Sequence, residues 1–126
     1  MNANKTLTDL TRDIVNLRDK NKDCIICGKP ICPWQESEIC HYIKRRHIST
    51  TWDLLNVAKG HKSCNQLEES SELLQDSHRM NVLDRIDSVE FMRLNVNKNK
   101  TVHLSPSDKL EMIKNYREIL KQMKTK

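Results

Sequence analysis

Leu7, Leu10, Ile14 and Leu17 fall at i, i+3, i+7 and i+10 with polar residues between them, which predicts an amphipathic helix near the N-terminus. Thr6, followed three residues later by Asp9, predicts a capping box at its start, and the charged run 18–23 predicts its end. From Cys24 to Cys40 the periodicity vanishes, and Gly28, Pro30 and Pro33 predict turns. A short strand or hairpin is expected around His41 to Ile43, with an irregular or extended piece from Ile48 to Val57. Gly60 is expected to break the chain just before His61. Beyond Asn65 the pattern turns helical. Residues 66–95 contain no Gly or Pro and carry Leu67, Leu73, Leu74, Val82, Ile86 and Val89, so one or two helices fit. The polar stretch 95–101 reads as a loop or a solvent-facing hairpin. The final helix has the clearest start, with Ser105 as N-cap, Pro106 at N1 and Asp108 at N3. Its apolar face comprises Leu110, Met112, Ile113, Tyr116, Ile119, Leu120 and Met123, and the opposite face, including Lys114 and Lys121, reads as solvated.

Composition changes this picture in three ways. With 126 residues there is room for one domain, and 37% hydrophobic residues with one Phe, two Trp and two Tyr make a thin core. A chain of this size buries only about two-thirds of its unfolded surface, so something besides apolar burial is expected to hold it. The longest apolar run is the four residues Cys24 to Cys27, too short to cross a membrane. The start Met-Asn-Ala-Asn-Lys has no apolar h-region, so a cytoplasmic protein is expected. The net charge of +5 is uneven: residues 1–65 carry 11 basic and 7 acidic groups, residues 66–126 carry 11 and 10. Between His41 and Asn65 stand Lys44, Arg45, Arg46, Lys59 and Lys62 against the single acid Asp53, a local excess suited to phosphates. Five cysteines, an odd number without a secretory signal, argue against a disulfide framework and for a reducing compartment.

Cys24-x-x-Cys27 and His61-x-x-Cys64 are two ligand pairs separated by 33 residues. Each pair can wrap a turn so that both donors face one ion, and together they complete the tetrahedron that Zn²⁺ prefers. Such a Cys₃His set is closed and therefore structural, and its metal affinity is folding free energy. Between the pairs lies His41, then Asn56 fifteen residues on, and Asn65 nine beyond that. Phosphodiester hydrolysis needs a base that takes a proton from water near neutral pH, and His41 has that chemistry. It also needs a divalent cation, Mg²⁺ or Mn²⁺, for which the carboxamide oxygen of Asn65 is an acceptable hard ligand.

Asn16-Leu-Arg18-Asp19, Cys24-Ile-Ile-Cys27-Gly28, His41-Tyr-Ile-Lys-Arg-Arg46, Trp52-Asp-Leu-Leu-Asn56-Val and His61-Lys-Ser-Cys64-Asn65 resemble, in order and in gaps, the NinG/Rap family of phage recombination endonucleases. The zinc pairs and the final Asn are also similar to those of endonuclease VII. The resemblance implies an HNH, or His-Me finger, nuclease that cuts branched or displaced-strand DNA during recombination, in a bacterial host cell. It implies His41 as general base, Asn65 as ligand of the catalytic cation, Asn56 as the residue that braces the loop and orients His41, and Lys44, Arg45 and Arg46 as phosphate contacts. Two positions depart from the pattern. His61 stands where the family usually has Cys, and remains a sound zinc ligand. Cys40 stands where endonuclease VII has a carboxylate and NinG-like enzymes commonly have Gly. A thiolate suits Mg²⁺ poorly, which leaves the second protein ligand open, with Asp53 as one candidate and with Cys40 able to compete for zinc.

The expected architecture is a small zinc-stapled α+β domain, with a ββα-metal core over 23–66 between an N-terminal helix (1–22) and a C-terminal helical part (67–126). The rival reading is a zinc-stapled DNA-binding protein with a decayed nuclease centre. A duplex-specific restriction or homing enzyme fits less well, because no separate recognition module is visible. Symmetric cutting would need a homodimer, which the C-terminal apolar helix could serve if it does not simply close the core. Trp34 and Trp52 read as core packing, His47, His78 and His103 as non-catalytic, and Cys32 has no assigned role.

Overall fold

The computed structural model describes residues 2–44, 50–98 and 104–125. Helix α1 (Ala3–Arg18) starts earlier than its capping signal suggests. Asn2, not Thr6, is the N-cap, accepting from Lys5 N at 3.2 Å, and the Thr6 hydroxyl donates back to Asn2 O at 3.1 Å. The earlier start lets Ala3 join a cluster built on Leu7, Trp52 and Ile113. The helix buries Leu7, Thr11, Ile14 and Val15, whereas Leu17 is left 42% exposed because the chain turns away beyond Arg18.

The sheet has two antiparallel strands, β1 (Ser37–His41) and β2 (Val57–His61), paired from Ser37↔His61 to His41↔Val57. The strand expected around His41 to Ile43 therefore ends at His41. Gly60 does not break the chain; it is a buried member of β2, and its lack of a side chain admits the sulfurs of Cys40 and Cys24. The outer edge of β2 is covered and cannot template further pairing. Lys59 N donates to the buried Asp19 carboxylate at 3.0 Å and Ile25 N donates to Lys59 O at 3.1 Å. Arg18 donates to Leu54 O and Val57 O, each at 2.6 Å. Burial works to raise the Asp19 carboxyl, but the bonds from Arg18 and the Lys59 N–H outweigh it and hold the group below its ordinary value.

β2 runs directly into α2 (Lys62–Leu67), which tightens into a 3₁₀ turn over Glu68–Ser70. The helical pattern beyond resolves into two helices, α3 (Glu72–Arg85), capped by Ser71, and α4 (Ser88–Asn97), capped by Asp87. The polar stretch from Asn95 begins inside α4, and residues 99–103, with His103, lie outside the described residues. Together α3 and α4 close a second cluster of Cys24, Ile25, Ile26, Cys40, Ala58 and Val82, with Tyr42, Leu74, Ile86 and Phe91 around it. Helix α5 (Pro106–Lys124) starts at Ser105 with the expected reciprocal capping box and packs on α1 through Ile113, while Leu110 remains 52% exposed. Trp52 is buried, as expected of core packing. Trp34 is not: it is 82% exposed in the turn after Pro33. The result is a small α+β protein of five helices and a two-stranded sheet among the described residues. None of those helices is long and apolar enough to cross a membrane.

Candidate metal centre and the adjoining cleft

The donor atoms of Cys24, Cys27, His61 and Cys64 lie within 4.8 Å of one another. Cys24 and Cys27 come from a turn closed by Gly28, whose φ of 78° is the left-handed conformation glycine tolerates, with Gly28 N donating to Cys24 O at 2.8 Å. His61 ends β2 and Cys64 sits in the first turn of α2. The His61 Nδ1 lies 3.4 Å from Cys27 Sγ and 3.8 Å from Cys64 Sγ. Zn–S bonds of about 2.3 Å and Zn–N bonds of about 2.0–2.1 Å at tetrahedral angles put S and N about 3.6 Å apart, which these two distances bracket. The four residues could hold a metal ion such as zinc.

Surrounding bonds orient the donors as a metal site needs. Cys32 N donates to Gln35 Oε1 at 2.7 Å, so that oxygen is an acceptor, and His61 Nε2 donates to it at 3.0 Å. The proton is thereby held on Nε2, and the Nδ1 lone pair faces the sulfurs. Cys24 Sγ accepts from His61 N at 3.2 Å and from Cys27 N at 3.5 Å. Asn81 of α3 donates to Ile25 O and Ile26 O at 2.9 and 3.2 Å, tying the cysteine turn to the helical layer. Burial first, then the neighbouring sulfurs, push the Cys64 thiol up to about 12. A divalent cation would reverse that balance, because coordinated thiols bind as thiolates.

Cys40 is not among the four donors. It is fully buried, its thiol points to Glu38 O at 3.6 Å, and burial drives its pKa far above the ordinary value. Asp53, the other candidate for the catalytic cation, is engaged elsewhere, accepting from Arg93 at 3.0 Å and from Leu55 N at 2.9 Å.

His41, Asn65, Glu38, Ile39, Lys44 and Glu69 line one cleft of about 350 Å³. His41 is the last residue of β1, and Asn65 lies in α2, directly after the cysteine that ends the second ligand pair. His41 Nε2 donates to Thr51 O at 2.9 Å; a carbonyl can only accept, so the lone pair is on Nδ1. Asn56 is 2% exposed and clamps the loop: its Oδ1 accepts from Ile43 N at 2.7 Å, and its Nδ2 donates to Ile43 O and Thr50 O at 2.9 and 3.0 Å. It therefore fixes the backbone one residue from the carbonyl that orients His41.

Lys44 is engaged internally, donating to His41 O at 3.2 Å and to Glu68 Oε1 at 2.5 Å. His78 Nδ1 meets the other Glu68 oxygen at 2.5 Å, so the buried carboxylate binds two basic partners. Burial raises the Glu68 carboxyl, yet the bonds from His78 and Lys44 prevail and hold it below its ordinary value. Arg45, Arg46 and His47 lie outside the described residues. Sequence reasoning missed Gln35, Glu38, Glu68, Glu69 and Asn81. Only Glu69 had a signal, standing four residues after Asn65 on a helical stretch. No protein family, curated protein or solved structure matches the chain.

Proposed function

We propose that this chain is a metal-dependent DNA endonuclease of the His-Me finger kind, similar to the NinG/Rap enzymes, with branched or displaced-strand DNA as substrate. The observation that carries the reading is the cleft itself. Strand, loop, strand and helix follow in order, and they bring the imidazole of His41 and the carboxamide of Asn65 to one opening. Beside it the Cys₃His cluster joins the end of β2 to the first turn of α2. In this reading zinc on Cys24, Cys27, His61 and Cys64 is a structural staple that stabilises the fold and fixes the backbone carrying Asn65.

The cleft's donor chemistry fits a hard cation. It offers the Asn65 carboxamide and the Glu38 and Glu69 carboxylates and no thiol, so Asn65 and one or both carboxylates would hold Mg²⁺ or Mn²⁺. The cation, when bound, stabilises negative charge at the phosphate and at the departing oxygen. His41 Nδ1 accepts the proton of the attacking water, and Thr51 O keeps the ring in the tautomer that allows it. Asn56 acts through the loop as a positioning residue. Lys44 holds the end of β1 against Glu68, and Lys44, Arg45 and Arg46, consecutive in sequence, are the proposed phosphate contacts.

Labelled linear duplex, flap, D-loop and four-way junction DNA, each incubated with Mg²⁺ and with chelator, test the proposal. Metal-dependent cutting of the branched forms is expected, with a loss of roughly 10²- to 10⁴-fold in His41→Ala and unchanged zinc content. Native protein that binds DNA but cuts none of these substrates would establish the binding protein instead. Wild-type cutting rates in His41→Ala would overturn the mechanism.

A further inference from the structure

Helix α5 carries Lys114, Arg117, Lys121 and Lys124 at i, i+3, i+7 and i+10, a spacing that gathers them into one stripe beside the face packed on α1. All four are exposed. At a rise of 1.5 Å per residue the stripe runs about 15 Å along a helix anchored by the buried Ile113 and by the Tyr116 hydroxyl, which donates to Trp52 O.

Most other cations on the helices are ion-paired: Lys5 and Arg12 with Asp9, Arg79 with Asp76 and Arg93 with Glu90 within one turn, and Arg18 and Arg85 with Asp19; Lys109, in the first turn of α5, forms no ion pair among the described residues. The α5 stripe differs. Glu111 and Glu118 stand three or four residues from Lys114 and Lys121, yet none of the four stripe residues forms an ion pair among the described residues. Glu118 Oε1 instead accepts from Gln122 at 3.2 Å. A row of positive charge on a stiff support, left uncompensated although acids are in reach, is suited to an external polyanion with closely repeating charge.

We propose that the α5 stripe binds the phosphate backbone of duplex DNA, as a second contact surface apart from the His41–Asn65 cleft. The identity of the polyanion rests on the proposed function. The geometry favours it over a membrane surface, because Met112, Ile113 and Tyr116 of the apolar face that a lipid-bound helix must insert are already packed in the cluster with Leu7 and Trp52, leaving only Leu110 and Ile119 exposed as large apolar residues on α5. Duplex DNA carries one phosphate per about 3.4 Å of axis on each strand, and four cations on long side chains over about 15 Å can neutralise up to about four of them.

The test measures affinity for a fluorescent linear duplex between about 50 and 200 mM salt. The variant Lys114→Gln/Arg117→Gln/Lys121→Gln/Lys124→Gln keeps good helix formers on α5, and circular dichroism checks its fold. Its slope of log affinity against log salt should shrink by about 3 to 4, and Lys121→Gln/Lys124→Gln alone should remove about half of that. Glu111→Gln/Glu118→Gln, on the same helix, should keep the wild-type slope. An unchanged slope in the quadruple variant overturns the proposal. So does lost binding to phosphatidylserine vesicles with DNA binding intact. A wild-type protein that cuts no DNA while the slope difference persists sinks the nuclease reading and leaves the stripe standing.

Discussion

Gly60→Ala is the most direct probe of how the metal centre is built. A Cβ at position 60 would lie 2.8 Å from Cys40 Sγ, 3.3 Å from Cys24 Sγ and 3.5 Å from Ile25 Cγ2. The first distance is well inside contact, and both cysteines are fully buried, so neither sulfur can swing into solvent. Overpacking of this kind costs about 1–3 kcal/mol. Against it stands the gain from removing a strand glycine, about 0.5–1 kcal/mol. The net is a destabilisation of up to about 2.5 kcal/mol, and part of it should fall on metal binding because Cys24 is one of the four donors. At about 1.4 kcal/mol per tenfold, zinc affinity should weaken by up to about thirtyfold, read by competition with a chromogenic chelator alongside the urea midpoint. The decisive variant is Cys40→Ala/Gly60→Ala. Removing the nearest sulfur makes room for the new methyl, so in a double-mutant cycle the two changes should be less harmful together than their sum. Strict additivity of Gly60→Ala and Cys40→Ala in that cycle would refute the reasoning.

Glu68→Gln should lose stability at pH 7, because a carboxamide cannot replace the charge that Lys44 and His78 share. The Glu68 carboxyl is held below its ordinary 4.5, so its contribution is complete above that pH and fades as the pH falls through the folded-state value. The stability gap between wild type and Glu68→Gln in urea melts should therefore close in acid, and a gap independent of pH would contradict the assignment. Gln35→Ala removes the acceptor that holds His61 in its ligating tautomer, and zinc affinity should fall by about 10- to 100-fold by the same chelator competition. Chelation of wild-type protein at neutral pH should abolish cooperative melting, whereas a metal-free chain that still melts sharply would show that the Cys₃His set is not a staple.

Local signals carried far in this chain. The α5 start was legible because Ser105, Pro106 and Asp108 act on each other within one turn. The four-donor cluster was legible because each x-x spacing is itself a local geometry, leaving the fold only to bring two pairs together. The same reasoning failed where local options competed. Asn2 and Thr6 can each cap a helix, and the winner was the start that let Ala3 join the Leu7 and Trp52 cluster. Gly60 reads as a chain break in sequence because a missing side chain looks like freedom. In the fold it is a space requirement, set by sulfurs that arrive from positions 24 and 40. Trp34 reads as core because tryptophan usually is, but the turn at Pro33 leaves the ring 82% exposed.

The periodicities, caps and ligand pairs are properties of residues a few positions apart, and the amino-acid order settles them before any packing occurs. What the order could not reveal depends on contacts between distant segments. Glu38 and Glu69 share the cleft with His41 and Asn65 only because β1 pairs with β2 and β2 runs straight into α2. Lys44, a candidate phosphate contact, is also tied internally to Glu68 because the 3₁₀ turn delivers that carboxylate, and α3 delivers His78, to the same point. Asp19 becomes the cap of a strand edge because Lys59 N, forty residues away, needs an acceptor there. Charges and hydrogen-bonding groups take whichever partner tertiary packing brings within about 3 Å, and no spacing rule along the chain encodes that choice.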